Sequence, residues 1–212
     1  MRCKYALTCR AGGPGLGQGS GSRAAFAALE LLAERGYRGA TTKEIARRAG
    51  VNEVTLFRRF GSKEALLRAA LSRFIPAGFL ERLPAEEAPL EEGLRQLLEA
   101  YLDLLKAHQA LLPKLLAELL RHPGLRGAGP PKGILGVLER VVGFFRAQQR
   151  KGLLRSDEPP EEMALAFVGP LMARFLLGEA LGVHLPLDPE AYLRGYLEGR
   201  YGAGRGGQSE LR

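Results

Sequence analysis

In the stretch GVNEVTLFRRFGSKEALL, residues 50–67, Arg58 and Arg59 sit between Phe57 and Phe60. A guanidinium presents a rigid fork of donors that suits phosphate oxygens and base edges, and a ring beside it can pack on a sugar or a thymine methyl. The grouping is therefore suited to holding a polyanion rather than to breaking a bond. Bond-breaking groupings are hard to find elsewhere: His108, His122 and His184 have no metal-ligand spacing, no G-x-S-x-G occurs, and GAGPPKG at 127–133 lacks the spacing of a phosphate-binding loop. No catalytic residue, metal or cofactor is expected.

The charge distribution points the same way. The chain has 212 residues and a formal net charge of +8. Residues 23–74 hold eleven Lys/Arg against five Glu, whereas residues 75–200 hold fifteen Lys/Arg against seventeen Asp/Glu. The cationic excess belongs to the first quarter of the folded chain, as expected if that part alone meets a polyanion. Cys3 and Cys9 lie in a Gly-rich leader, where they neither staple a fold nor complete a metal site. That leader, residues 1–21, lacks the apolar centre of a secretory signal and is read as disordered. No apolar run reaches a membrane span of about 18 residues, since MALAFVGPLMARFLLGEAL carries Arg174, Glu179 and an internal proline, so a cytoplasmic protein is expected.

From Ser22 onward, apolar residues recur at three- and four-residue spacing and no period-two run of β-branched residues appears, which predicts an all-α chain. A first helix is expected at about 22–35, capped by Ser22 or Ser20 and closed by Gly36. A second, KEIARRAG, is capped by Thr41 or Thr42 and closed by Gly50. A third, EVTLFRRF, is capped by Asn52 and closed by Gly61, and a fourth opens at Ser62 and ends by Pro76. Further helices are expected at about 89–109, 113–121, 133–151, 159–181 and 189–200, bounded by prolines and the HPGLRGAGPPKG loop. The helix at 159–181 is apolar on nearly all sides, which implies burial from more than one direction, in the core or against another chain. The last helix carries Tyr192, Leu193, Tyr196 and Leu197 on one stripe, either core or interface.

Segment 42–60 thus reads as helix, tight turn, helix, with Ile45, Ala46, Ala49, Val51, Leu56 and Phe60 available to pack the pair. That is a helix-turn-helix pattern, whose second helix enters the major groove of DNA. Arg47 and Arg48 are read as a solvated face.

These residues resemble a known family. TTKEIARRAGVNEVTLFRRFGSKEALL looks like the DNA-binding signature of the TetR family of bacterial transcriptional regulators, and AALELLAERGYRGA is similar to that family's first helix and connection. The resemblance covers about residues 23–74. It implies phosphate contacts from Thr42, Thr55 and Lys63, and base or groove contacts from Lys43, Glu53, Val54 and Arg59, with Arg58 open to either role; Asn52, the cap of the recognition helix, completes the set. Two positions depart from the family. Phe57 stands where a tyrosine is common and is expected to touch sugar or a thymine methyl, and Glu53 can accept from a cytosine amino group at some expense in affinity.

The expected organisation is a leader at 1–21, a three-helix DNA-binding domain at 22–74, a helical effector-binding and dimerisation domain at 75–201, and a flexible tail at 202–212. The resemblance implies a homodimer, formed through the last two helices, on a palindromic or near-palindromic double-stranded operator, and most simply a repressor released by a small-molecule effector. Tyr101, His108, Phe144, Phe145, Phe167, Met172 and Phe175 are candidate lining for a hydrophobic or amphipathic effector, and equally candidate core. Arg174 either meets an anionic head group, pairs with an acid or reaches solvent. The rival reading is a helical small-molecule-binding or enzymatic protein with no operator.

Overall fold

The computed structural model describes residues 20–76, 78–125 and 129–201. The two cysteines, the 202–212 tail and most of the leader lie outside the described residues, but Ser20 and Gly21 already belong to the first helix. Among the described residues there are nine α-helices, with a single isolated bridge pairing Leu154 and Tyr201, so the fold is all-α. They run α1 Ser20–Gly39, α2 Thr42–Ala49, α3 Glu53–Phe60, α4 Lys63–Leu71, α5 Leu90–Ala107, α6 Leu112–Arg121, α7 Lys132–Arg150, α8 Pro160–Leu181 and α9 Pro189–Glu198.

Local chemistry explains the short N-terminal helices. Thr41, Asn52 and Ser62 each accept a backbone N–H in the first turn of the helix that follows, from Glu44 at 3.2 Å, Val54 at 2.9 Å and Ala65 at 3.1 Å. Thr41 is therefore the cap of α2, and Thr42 is its first helical residue. Gly36, at φ 67 and ψ 179, interrupts the helical run at the expected place, but the chain resumes one more turn to Gly39. Ser22 is inside α1 rather than capping it, and its hydroxyl accepts from Arg73 at 2.5 Å.

The chain forms two compact units. The first holds the described residues up to Arg73 together with Ala107–Gly129, and the second holds Phe74–Lys106 with the residues from Pro130 onward. α6 falls within the 75–201 span expected to form the effector domain, but it packs against α1 in the first unit. Glu118 of α6, 8% exposed, accepts the Tyr37 N–H at 2.6 Å beside the Gly36 kink, a link that local periodicity does not reveal. The rest of this unit's core is small and aliphatic: Ala24, Ala28, Leu31, Leu32, Ile45, Leu56, Leu66 and Leu67 are all buried.

The second unit is built on larger side chains. Phe144, Phe145 and Phe167 are fully buried among Leu94, Leu97, Leu98, Met163, Leu193, Tyr196 and Leu197. Phe167 meets Tyr196 edge-on at 4.9 Å, and the Tyr196 hydroxyl, pushed upward by burial, donates to the Met163 carbonyl at 2.8 Å. The stripe on α9 is thus core. For α8 the expectation that no apolar run is long enough to span a membrane needs correcting. By length and composition it is apolar enough to cross a membrane, and only one of its faces, Met163, Ala164, Phe167 and Leu171, is buried within the chain. Leu165, Leu177 and Leu181 are exposed. Arg174 donates to the Leu185 carbonyl at 2.9 Å, anchoring the segment that leads to α9.

Candidate nucleic-acid interface

Helices α2 and α3 meet at a turn that Gly50 makes in the left-handed conformation, φ 65 and ψ 39. Ile45, Ala46 and Ala49 of α2 and Leu56 of α3 are buried, which fixes the roll of both helices. With Leu56 inward, a 3.6-residue repeat sends Val54, Phe57 and Arg58 outward. Val54 is 72% exposed and Phe57 58%, an unusual pair on a helix of eight residues. Such apolar groups beside a guanidinium suit the major groove, where thymine methyls and guanine acceptors lie side by side.

The edge of this face comes from two helix starts. Lys43 and Asn52 are exposed, and Thr42, Glu53 and Thr55 are half-buried. Both helix N-termini carry partial positive charge and favour anions. Thr42 donates its hydroxyl proton to a Glu53 carboxylate oxygen at 2.6 Å, so these two site residues face each other. The other cations of α2 are engaged elsewhere. Arg47 grips Glu44 at 2.7 and 2.9 Å, holding that carboxyl down to about 2, and Arg48 pairs with Glu34 at 2.8 Å. Among the described residues no acid pairs with Lys43 or Arg58.

Two expected site residues, Arg59 and Lys63, and one expected core residue, Phe60, have particular surroundings. Arg59 is exposed, and its guanidinium lies over Gly21 in α1, where a β-carbon would sit 2.5 Å from its central carbon. Phe60 is half-buried rather than core, with the Arg59 guanidinium 5.8 Å from its ring centre. The roll set by Leu56 turns Arg59 to the flank nearest α1, whereas Phe60 shares the Leu56 face and is half-buried because it is the last residue of α3. Lys63 lies 4.0 Å over the Tyr37 ring and donates to the Tyr37 carbonyl, and burial pulls its pKa downward. Its ammonium ties α4 to the segment after Gly36.

Tyr37 is the residue that sequence reasoning missed. Its hydroxyl donates to Glu64, which holds the Glu64 carboxyl below its ordinary range and, with burial, raises the phenol. His122 stacks on its ring at 4.6 Å. The side chains line an open cavity of about 230 Å³, also lined by Arg121 and Leu125. The available signal was an aromatic residue directly after a glycine that closes a helix; its partners Glu118 and His122 are distant in sequence.

The candidate effector residues are not gathered as a set. Phe144, Phe145 and Phe167 are packed on one another in the second unit, Phe144 against Phe145 at 5.5 Å. Tyr101, Met172 and Phe175 are half-buried there, and burial raises the Tyr101 phenol to about 12. His108, half-buried with its pKa lowered by that burial, belongs to the first unit.

Comparison with known proteins bears on this geometry. Residues 27–70 match the family described as bacterial regulatory proteins, tetR family. The HTH-type transcriptional regulator YvkB of Bacillus subtilis is 53% identical over 47 residues, which is 22% of this chain and 25% of that protein. The HTH-type transcriptional repressor NicS of Pseudomonas putida is 30% identical over 138 residues, 62% of this chain and 64% of NicS. This chain therefore spans less than two thirds of either relative. Among solved structures, a TetR-family transcriptional regulator from Mesorhizobium loti superposes with a TM-score of 0.67 at 21% identity, covering 86% of this chain and 96% of the other, a likeness of fold.

Proposed function

We propose that this chain, whose residues 27–70 match the tetR family of bacterial regulatory proteins, is a transcriptional repressor of that family that grips an operator with α3 and releases it when a small molecule binds the second unit. The observation that carries this reading is the outward set Val54, Phe57 and Arg58 on a short helix whose roll is fixed by Leu56. Lys43 and the N-termini of α2 and α3 supply the attraction for the phosphate backbone. The operator contacts proposed are Lys43, Asn52, Val54, Thr55, Phe57 and Arg58, with Glu53 at the edge; Arg59 is peripheral because its exposed guanidinium lies beside Gly21 of α1, and Lys63 because its ammonium is held by Tyr37. Repression is favoured by the likeness to NicS, a repressor by name.

A palindromic operator requires two heads, and the exposed Leu165, Leu177 and Leu181 of α8 supply an apolar face for a second copy. The outer face of α9 is small and polar, with Ala191, Arg194 and Gly195 exposed, so α8 contributes most of the apolar contact. Half-buried Tyr101, Met172 and Phe175 beside a fully aromatic core favour a hydrophobic or amphipathic effector, and the site of action is the cytoplasm, where the operator lies. A gel shift against the promoter region of the protein's own gene, at several salt concentrations, tests the reading: a retarded complex whose affinity falls steeply with salt is expected. A chain that binds no promoter fragment more tightly than random DNA is instead the helical ligand-binding protein or enzyme without an operator.

A further inference from the structure

We propose that Glu53 is the group that makes each half-site of the operator demand a cytosine, and that Thr42 is a positioning residue for Glu53 rather than a phosphate contact. The inference rests on the DNA-binding reading above and adds which base is read and how.

The argument begins with the proton on Thr42. A threonine hydroxyl has one hydrogen, and phosphate oxygens only accept, so the Thr42 side chain can hold a phosphate only by donating that hydrogen. In the structure it is donated to Glu53 at 2.6 Å. Thr42 opens α2 and Glu53 opens α3, so the bond links the two helix ends that border the outward face. It fixes a carboxylate that would otherwise sample several rotamers.

The second part is the charge of that carboxylate. The nearby acids Glu30, Glu34 and Glu44 pair with Arg35, Arg47 and Arg48, but among the described residues no cation pairs with Glu53. A carboxylate beside Val54 at the start of a recognition helix is repelled by phosphates, and beyond the Thr42 hydroxyl and the α3 N-terminus the DNA can match it only with a donor on a base edge. The major groove offers two such donors, the amino groups of cytosine and adenine. Adenine presents its N7 acceptor beside its amino group, and guanine and thymine present acceptors, all of which repel a carboxylate. Cytosine presents an amino group with only a C–H next to it. At any other base Glu53 is left desolvated and unmatched, so the residue selects by penalty as much as by attraction.

The test is selection of binding sites from a randomised library by the full chain, with affinity and its salt dependence then measured on the selected sequence. The wild type is expected to enrich cytosine at one position of each half-site, and replacing that cytosine should weaken binding roughly 5- to 150-fold. Glu53→Ala should lose the preference at that position alone and bind random DNA more tightly. Glu53→Gln should move the preference to adenine, which a carboxamide contacts through both N6 and N7. Thr42→Val should blunt the cytosine preference without changing the salt slope, and Thr42→Ser, which keeps the hydroxyl, should restore it. An unaltered base preference in Glu53→Ala, or a salt slope reduced by about one in Thr42→Val, overturns the inference while leaving the DNA-binding reading intact. A wild-type chain that enriches no sequence at all overturns both.

Discussion

The two units use their aromatic rings in opposite ways. In the second, Phe144, Phe145 and Phe167 are fully buried, and Phe167 packs edge to face with Tyr196. In the first, Phe57 is 58% exposed and Phe60 half-buried, while the core is alanine and leucine. Small side chains let three short helices cross closely, and that leaves no interior space for a ring. The exposed ring of Phe57 next to an arginine is therefore free for the operator contact proposed above, whereas a buried ring in the second unit is structural first.

The largest test of this contrast is a pair of truncations. Phe167→Ala should cost roughly 3–5 kcal/mol of stability, read from denaturant unfolding, because it opens a cavity among Tyr192, Tyr196 and Phe145. Phe57→Ala should leave the melt nearly unchanged and weaken operator binding. If the two rank the other way, the division between structural and partner-facing rings is wrong.

Next in size is the arginine pair. Arg58→Ala should weaken operator binding by roughly 1–3 kcal/mol if it reads a base, with no change in melting. Arg59→Ala should affect binding less, because its guanidinium lies over Gly21. Equal losses of affinity would place both arginines on the DNA. Phe60→Ala, at a half-buried site, should cost only about 1–2 kcal/mol of stability, below the cost at a fully buried ring.

Lys63→Ala sharpens the boundary between the DNA face and the internal scaffold. It removes a cation from the Tyr37 ring and should cost about 0.5–1 kcal/mol of stability while leaving the salt slope of operator binding unchanged. A slope lowered by about one would return Lys63 to the phosphate contacts.

The smallest expected effect is in the acid limb of stability. The Tyr37 hydroxyl holds the Glu64 carboxyl below its ordinary 4.5. That contribution is fully present above 4.5 and is lost as pH falls through the lowered folded-state value. The raised Tyr37 phenol works in the other direction: its contribution is present below the ordinary 10.0 and is lost as pH rises through the folded-state value. Tyr37→Phe should therefore melt lower at neutral pH and lose less further stability on acidification than the parent. Parallel acid limbs for parent and variant would show that the bond does not form in solution.

Much of this was legible from local signals. The caps Asn52 and Ser62, the left-handed glycines Gly36, Gly50 and Gly61, and the prolines opening α8 and α9 each mark a helix end through their own backbone chemistry. The exposure of Val54 and Phe57 follows once Leu56 is inside. Less legible was the difference between neighbours on one helix. Arg58 and Arg59 are chemically identical and both exposed, and composition does not say which one lies against α1.

The sequence by itself determined the helical alphabet, the breaks between helices, the cationic first quarter and the helix-turn-helix. All of these arise from interactions within a few residues or from summed charge. Only the tertiary structure decided that α6 belongs with α1, that Lys63 and Glu64 meet at Tyr37, and that Thr42 turns to Glu53. Each of these joins residues on different helices. Which donor finds which acceptor there depends on helix roll and crossing, and those are set by how the buried leucines and alanines pack together.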